Sequence, residues 1–201
     1  MPFVFPRNVE SAGLELGGEL TEPGCGSHRE SRPLRAKDRE MTSGDTGGSM
    51  VRAVTVTGTR SVGHRQLQSF RRVFEDYLKP FAGAGVRFYV GGAAGIDSLA
   101  LLWLASESAA VLSVVVPVTL AEQPADARHA ISTVRRDGRL DEVVELGGQV
   151  GAVGYHARNR WMVDRSDLVI GFPHGDDPAS GTMYTLGYAA SLRKPRLEVP
   201  V

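Results

Sequence analysis

The sequence predicts an α/β protein of Rossmann-like type, a three-layer arrangement in which a parallel sheet carries helices on both faces. Three observations predict it. Short apolar, β-branched runs alternate with stretches whose apolar residues recur at helical spacing. The runs are apolar along their whole length, as strands covered on both sides should be. Turns follow the first two runs directly, the first with glycine and hydroxyl residues and the second of glycine and alanine.

Val51 to Thr57 is the first such run and reads as a buried strand, closed by the turn Gly58-Thr59-Arg60-Ser61. Leu67, Phe70, Val73, Phe74, Tyr77 and Leu78 then repeat as one helical face, and Pro80 ends that helix. Val86 to Val90 is a second strand. The turn Gly91-Gly92-Ala93-Ala94-Gly95 leads into a helix with Ile96, Leu99, Ala100 and Trp103 on its apolar side. Leu112 to Pro117 is a third strand, residues 119–140 a polar connection with a helix, and Glu142 to Leu146 a fourth strand. A helix near 157–165 precedes the strand Leu168 to Phe172. Gly181 to Leu192 is a final helix and Arg196 to Val199 a last short strand.

Composition narrows the function classes. Lys plus Arg and Asp plus Glu number 23 each, and from residue 51 onward 17 basic side chains face 15 acidic ones. This balance argues against bulk capture of duplex DNA or an acidic membrane. Cys25 is alone, so no intrachain disulfide can form and a cytoplasmic setting is expected. No apolar run is long enough to span a bilayer. Residues 1–49 mix Gly, Pro, Ser, Glu and Arg without period, and are expected to be a disordered extension of the 50–201 domain. An upstream extension of the coding frame is the alternative expectation for this segment, since Met41 and Met50 both precede the first clear strand.

Ligands of open parallel sheets bind beyond the carboxyl ends of the strands. Four segments fall at such ends or at helix starts facing them. Gly58, Thr59 and Arg60 combine close backbone approach, a hydroxyl and a guanidinium that can fork two bonds to a phosphate. Gly91, Gly92, Ala93 and Gly95 open a helix amino end, where free N–H groups favour anions. Asp97 either complements that helix dipole or bonds a ribose or base edge. Arg158, Asn159 and Arg160 stand early in the predicted helix, where two cations are disfavoured unless an anion is present. Ser180, Gly181 and Thr182 offer hydroxyls and amides at another helix start, with Ser180 an ordinary cap as the simpler alternative.

No metal site or cofactor is expected. The five histidines lack ligand spacing, and His129 and His156 read as surface or core polar residues. Asp176-Asp177 reads as a solvated acidic turn. Trp103 and Trp161 read as core residues, and no nucleophile elbow is present.

Taken in order, Thr57-Gly58-Thr59-Arg60, Gly91 to Asp97, Arg158-Asn159-Arg160-Trp161-Met162, Asp167-Leu168-Val169-Ile170 and Ser180-Gly181-Thr182 resemble the SLOG superfamily. That superfamily includes DNA-processing protein A (DprA), the LOG cytokinin-activating enzymes and the YspA-like proteins. The Arg-Asn-Arg segment and compact size look closest to the YspA-like branch. The resemblance implies a nucleotide or nucleotide-derived ligand. In LOG enzymes a Pro-Gly-Gly-x-Gly-Thr-x-x-Glu motif supplies a catalytic glutamate, and here Thr185 stands at that position. Phosphate binding therefore carries over, while carboxylate acid–base work at that position does not. The leading expectation is a nucleotide-binding or sensing domain. The alternatives are a nucleoside-monophosphate phosphoribohydrolase using Asp97 or Asp164, and a DprA-like binder of single-stranded DNA. A homodimer is the expected assembly.

Overall fold

A computed structural model describes residues 50–175 and 177–201. The expectation of disorder for residues 1–49 lies outside these residues, as does Asp176 of the acidic turn. Six strands form one all-parallel sheet: β1 (Ala53–Gly58), β2 (Arg87–Gly91), β3 (Val111–Val116), β4 (Leu140–Glu145), β5 (Leu168–Phe172) and β6 (Arg196–Glu198). The helices are α1 (Leu67–Tyr77), α2 (Ile96–Glu107), α3 (Ala125–Arg136), α4 (Ala152–Asp164) and α5 (Gly181–Ser191). Pro80 falls in a short 3-10 turn, Lys79–Phe81, after α1. A second such turn, Leu120–Glu122, precedes α3 and is closed by reciprocal bonds between Thr119 and Glu122.

Strand order is β4-β3-β2-β1-β5-β6. The chain lays β1 in the middle, walks outward to β4, then returns to place β5 on the free side of β1. The order reverses between β1 and β5, so the loops leaving these strands diverge and open a crevice.

Alternation along the strands sorts the two faces. Val54 and Val56 of β1, Phe88 and Val90 of β2, Leu112 and Val114 of β3, and Ile170 of β5 are fully buried in one cluster with Phe70 and Phe74 of α1 and Trp103 of α2. The opposite parity carries Thr55, Tyr89, Ser113 and Val169, neighbours in register, with Gly171 beside Thr57. There Val169 packs with Val163 of α4 and with Leu186 and Ala189 of α5. Tyr89 meets Trp161 of α4 edge-on, and Gly171 leaves room for Leu186. Helices thus cover both faces, as expected, and the α4–α5 face is the more polar one. Trp161 is half-buried and lies under Arg165, so of the two tryptophans only Trp103 is core.

The main departure from expectation is α4, which starts at Ala152 instead of near residue 157. Arg158 is its seventh residue, beyond the first turn where the helix dipole acts. The dipole argument for an anion at Arg158 and Arg160 therefore fails. Any such site must rest on what surrounds these side chains. Asp167, part of the Asp-Leu-Val-Ile segment, accepts the amides of Arg52 and Ala53 and so pins the start of β1. No helix among the described residues is long and apolar enough to cross a membrane.

Candidate phosphate-binding cleft

A cleft of about 370 Å3 opens at the carboxyl ends of β1 and β5, where the strand order reverses. Four stretches of chain meet there. The end of β1 and the loop after it contribute Gly58, Thr59 and Arg60, the turn before α2 contributes Ala93, and the first turn of α2 contributes Asp97. Arg158 and Asn159 reach it from α4, and Ser180, Gly181 and Thr182 from α5. Segments separated by up to about 120 residues in sequence thus share one rim.

Glycines let these stretches approach one another. A Cβ on Gly58 would enter the space of Ile96, the first residue of α2. Gly95 adopts φ +83°, and a side chain there would strike the backbone of Thr59 and Arg60. The Ile96 amide donates to the Thr59 carbonyl at 3.0 Å. That amide is therefore spent on the neighbouring loop. Gly91 lies under the cleft, where a Cβ would displace the Arg158 guanidinium and the Asp97 carboxylate. Gly92 faces Val116. Gly91, Gly92 and Gly95 thus shape the site from behind and do not line it.

Arg158 and Arg160 part company. Successive helix residues turn by about 100°, so positions two apart point roughly 200° apart. Arg158 points inward and is 6% exposed, whereas Arg160 is exposed and donates to the Tyr184 hydroxyl at 2.6 Å.

Arg158 Nη1 stands 3.7 Å from Asp97 Oδ2, and both side chains are 6% exposed. This separation gives attraction without a hydrogen bond. Among the described residues, Arg158 Nε and Asn159 Oδ1 are buried without hydrogen-bond partners. Burial pushes the Asp97 carboxyl up to about 7, while Arg158, Arg60 and the Ala93 backbone pull the other way. Burial likewise lowers the Arg158 guanidinium from its usual range, against the opposing pull of Asp97. Each ion is only partly compensated.

The amino end of α5 completes the anion-friendly wall. Ser180 caps the helix, its hydroxyl accepting from the Met183 amide, so the simpler alternative holds for that side chain. The following amides, those of Gly181 and Thr182, belong to the first turn, whose N–H groups have no intrahelical acceptor. Asn159 Nδ2 donates to Thr185 Oγ1 at 2.7 Å, and Thr185 Oγ1 donates to the Gly181 carbonyl at 2.7 Å. Thr185 is fully buried and is occupied in joining α4 to α5. Asp164 lies outside the cleft and accepts from the Tyr188 hydroxyl.

Sequence reasoning missed the aromatic wall. Tyr155 and His156 of α4 and His174 after β5 line the cleft. The Arg60 guanidinium sits 4.5 Å over the Tyr155 ring, and His156 stacks on Tyr184 with ring centres 3.7 Å apart. His156 is half-buried and lies on the cleft wall. Its signal was helical spacing: Tyr155 and Asn159, four apart, share a face once α4 is seen to begin at Ala152. Among the described residues no three His, Cys, Asp or Glu side chains gather as a metal site.

With this geometry in view, two solved structures are informative. DNA processing protein A from Helicobacter pylori, described for its single-stranded DNA binding mode, superposes with a TM-score of 0.55 at 23% identity. The match covers 74% of this chain and 65% of that one. DprA from Streptococcus pneumoniae gives a TM-score of 0.55 at 20% identity, covering 74% of this chain and 50% of that one. The chain spans about half to two-thirds of these neighbours, and the likeness is one of fold. No protein-family description and no curated protein sequence matches the chain.

Proposed function

We propose that the cleft binds a nucleotide or nucleotide derivative through its phosphate, making this a nucleotide-binding or sensing domain of the SLOG type. The observation that carries the reading is the Arg158 guanidinium, 6% exposed, 3.7 Å from Asp97 and with its Nε unbonded among the described residues, in the same cleft as the start of α5. A buried cation with unfilled hydrogen-bonding capacity costs several kcal/mol. A phosphate between Arg158 and the Gly181–Thr182 amides offsets that cost with charge-assisted bonds. Tyr155 and His156 then offer ring faces to a base or ribose. The order of the motif segments supports membership of the SLOG superfamily, with the YspA-like branch as the nearest relatives.

Calorimetry with AMP, GMP and their nucleosides tests this. Mononucleotides bind and nucleosides bind far more weakly. Arg158→Met removes the charge yet keeps an apolar stem, and weakens AMP by roughly 30-fold or more, the scale of a buried charged partner. Absence of any nucleotide binding, or unchanged affinity in the variant, defeats the reading.

A second reading is single-stranded DNA binding. It is favoured by the fold shared with the Helicobacter pylori protein, whose description names that ligand. Near-balanced charge and a cleft sized for one small ligand weigh against extended backbone tracking. Oligonucleotide retardation with a steep salt dependence would reverse this ranking. A glycosidase reading would require Asp97 as its acid, since Thr185 supplies no carboxylate. Release of free base from AMP, lost in Asp97→Asn, is its signature.

A further inference from the structure

A second hollow, of about 610 Å3, lies between α2 and α3 behind the loop that leaves β1. Its walls are mostly apolar: Val62, Leu99 and Leu102, with Ala125 and Ala130 of α3. Asp126 and His129 stand at its polar edge. The hollow and the phosphate cleft are neighbours across a single strip of chain. Ala93 and Asp97 line the cleft, whereas Ala94, Gly95 and Ser98 line the hollow. Arg60 borders both.

Between them the Thr59–Arg60 backbone rests on Gly95, and the Ser98 hydroxyl is turned back onto the Ala93 carbonyl at 2.8 Å. The exposed cation at the crest is Arg60, whose present partner in the cleft is the Tyr155 ring. A ligand crossing this strip would therefore carry negative charge at its middle. Its far end would be flat and largely apolar, with donor groups at the edge for the Asp126 carboxylate. Pockets of this size and lining suit one heteroaromatic ring with its sugar.

We propose that the hollow is a second subsite, and that the site takes a two-headed ligand: a dinucleotide joined by a diphosphate, one half in each cavity and the bridge beside Arg60. The inference rests on the nucleotide reading of the cleft, and names the ligand class of that site.

The test compares AMP with diadenosine diphosphate, which repeats the AMP unit through a diphosphate bridge, by calorimetry on the full chain. The dinucleotide binds at least ten-fold tighter than AMP. Ala125→Trp fills the hollow from an exposed position and brings the dinucleotide down to the AMP level without changing AMP itself. Leu102→Ala, a truncation of one wall, weakens the dinucleotide alone. Should Ala125→Trp fail to fold, the Leu102→Ala comparison decides. Equal affinities for the two ligands in the wild type, or a dinucleotide preference that survives both substitutions, overturn the second subsite while leaving the nucleotide reading intact. Failure of both ligands to bind removes both.

Discussion

Asp97 and Arg158 set the chemistry of the cleft through competition. At 3.7 Å the carboxylate answers part of the guanidinium charge, so an incoming phosphate must share that cation. With the Asp97 carboxyl pushed up to about 7 by burial, its neutral form is present below that pH and its charged form above it. Phosphate affinity is therefore expected to fall as pH rises through about 7, beyond any change in ligand ionisation. Asp97→Asn should flatten that dependence, read from calorimetric dissociation constants between pH 6 and 8.5. Stability moves the same way. A carboxyl whose folded pKa lies above its unfolded value binds more protons in the folded state between about 4 and 7. Its contribution is full below the lower value and is lost as pH rises through the upper one. Denaturation midpoints at pH 8 should accordingly be higher for Asp97→Asn than for wild type. The two arginines show what was legible at this scale. Their identity was visible in the sequence, but their divergence was not, because it depends on where α4 begins.

Among elements, the strands were the most legible and α4 the least. β5 is where its unbroken apolar run puts it, since the run is strand-sized and Pro173 follows it. α4 hides its start because its inward face includes the polar Arg158 and Asn159 along with Met162 and Val163, so no apolar stripe forms. Gly151 and Gly154 around its first turn further resemble a loop in sequence. Contacts between elements predict sharper effects than their propensities do. Gly95→Ala places a Cβ against the Thr59–Arg60 backbone at a positive φ, and should cost about 1–3 kcal/mol in chemical denaturation. Thr185→Val removes the hydroxyl between Asn159 and the Gly181 carbonyl, leaving the buried Asn159 amide with its long 3.4 Å bond to that carbonyl. A loss of about 1–3 kcal/mol is expected, with nucleotide binding weakened because Asn159 and α5 lose their alignment.

For the whole molecule, stability draws mainly on one face of the sheet, and most recognition groups of the phosphate cleft come from the other. The α1–α2–α3 side holds the large apolar cluster, including Phe74 against Trp103 and Phe172. Phe74→Ala should destabilise by about 3–5 kcal/mol, measured by urea unfolding, while the folded fraction keeps its nucleotide affinity. The α4–α5 side is more polar and supplies most of the cleft's recognition groups. This division was only half visible beforehand. The alternating pattern of strands and helices was enough to give a covered parallel sheet, but which helix lies on which face is fixed by strand order. That order depends on pairings between residues more than a hundred positions apart.

The central place of β1 has a consequence for biosynthesis. Its amino-acid partners in β5, such as Val169 opposite Thr55, leave the ribosome last among the sheet's inner strands. Until they arrive, β1 has one open edge, and Arg60 faces no Ser180–Thr182 wall. Ligand capture by nascent chains of increasing length should therefore switch on abruptly once α5 has emerged, making occupancy a clock for closure of the fold.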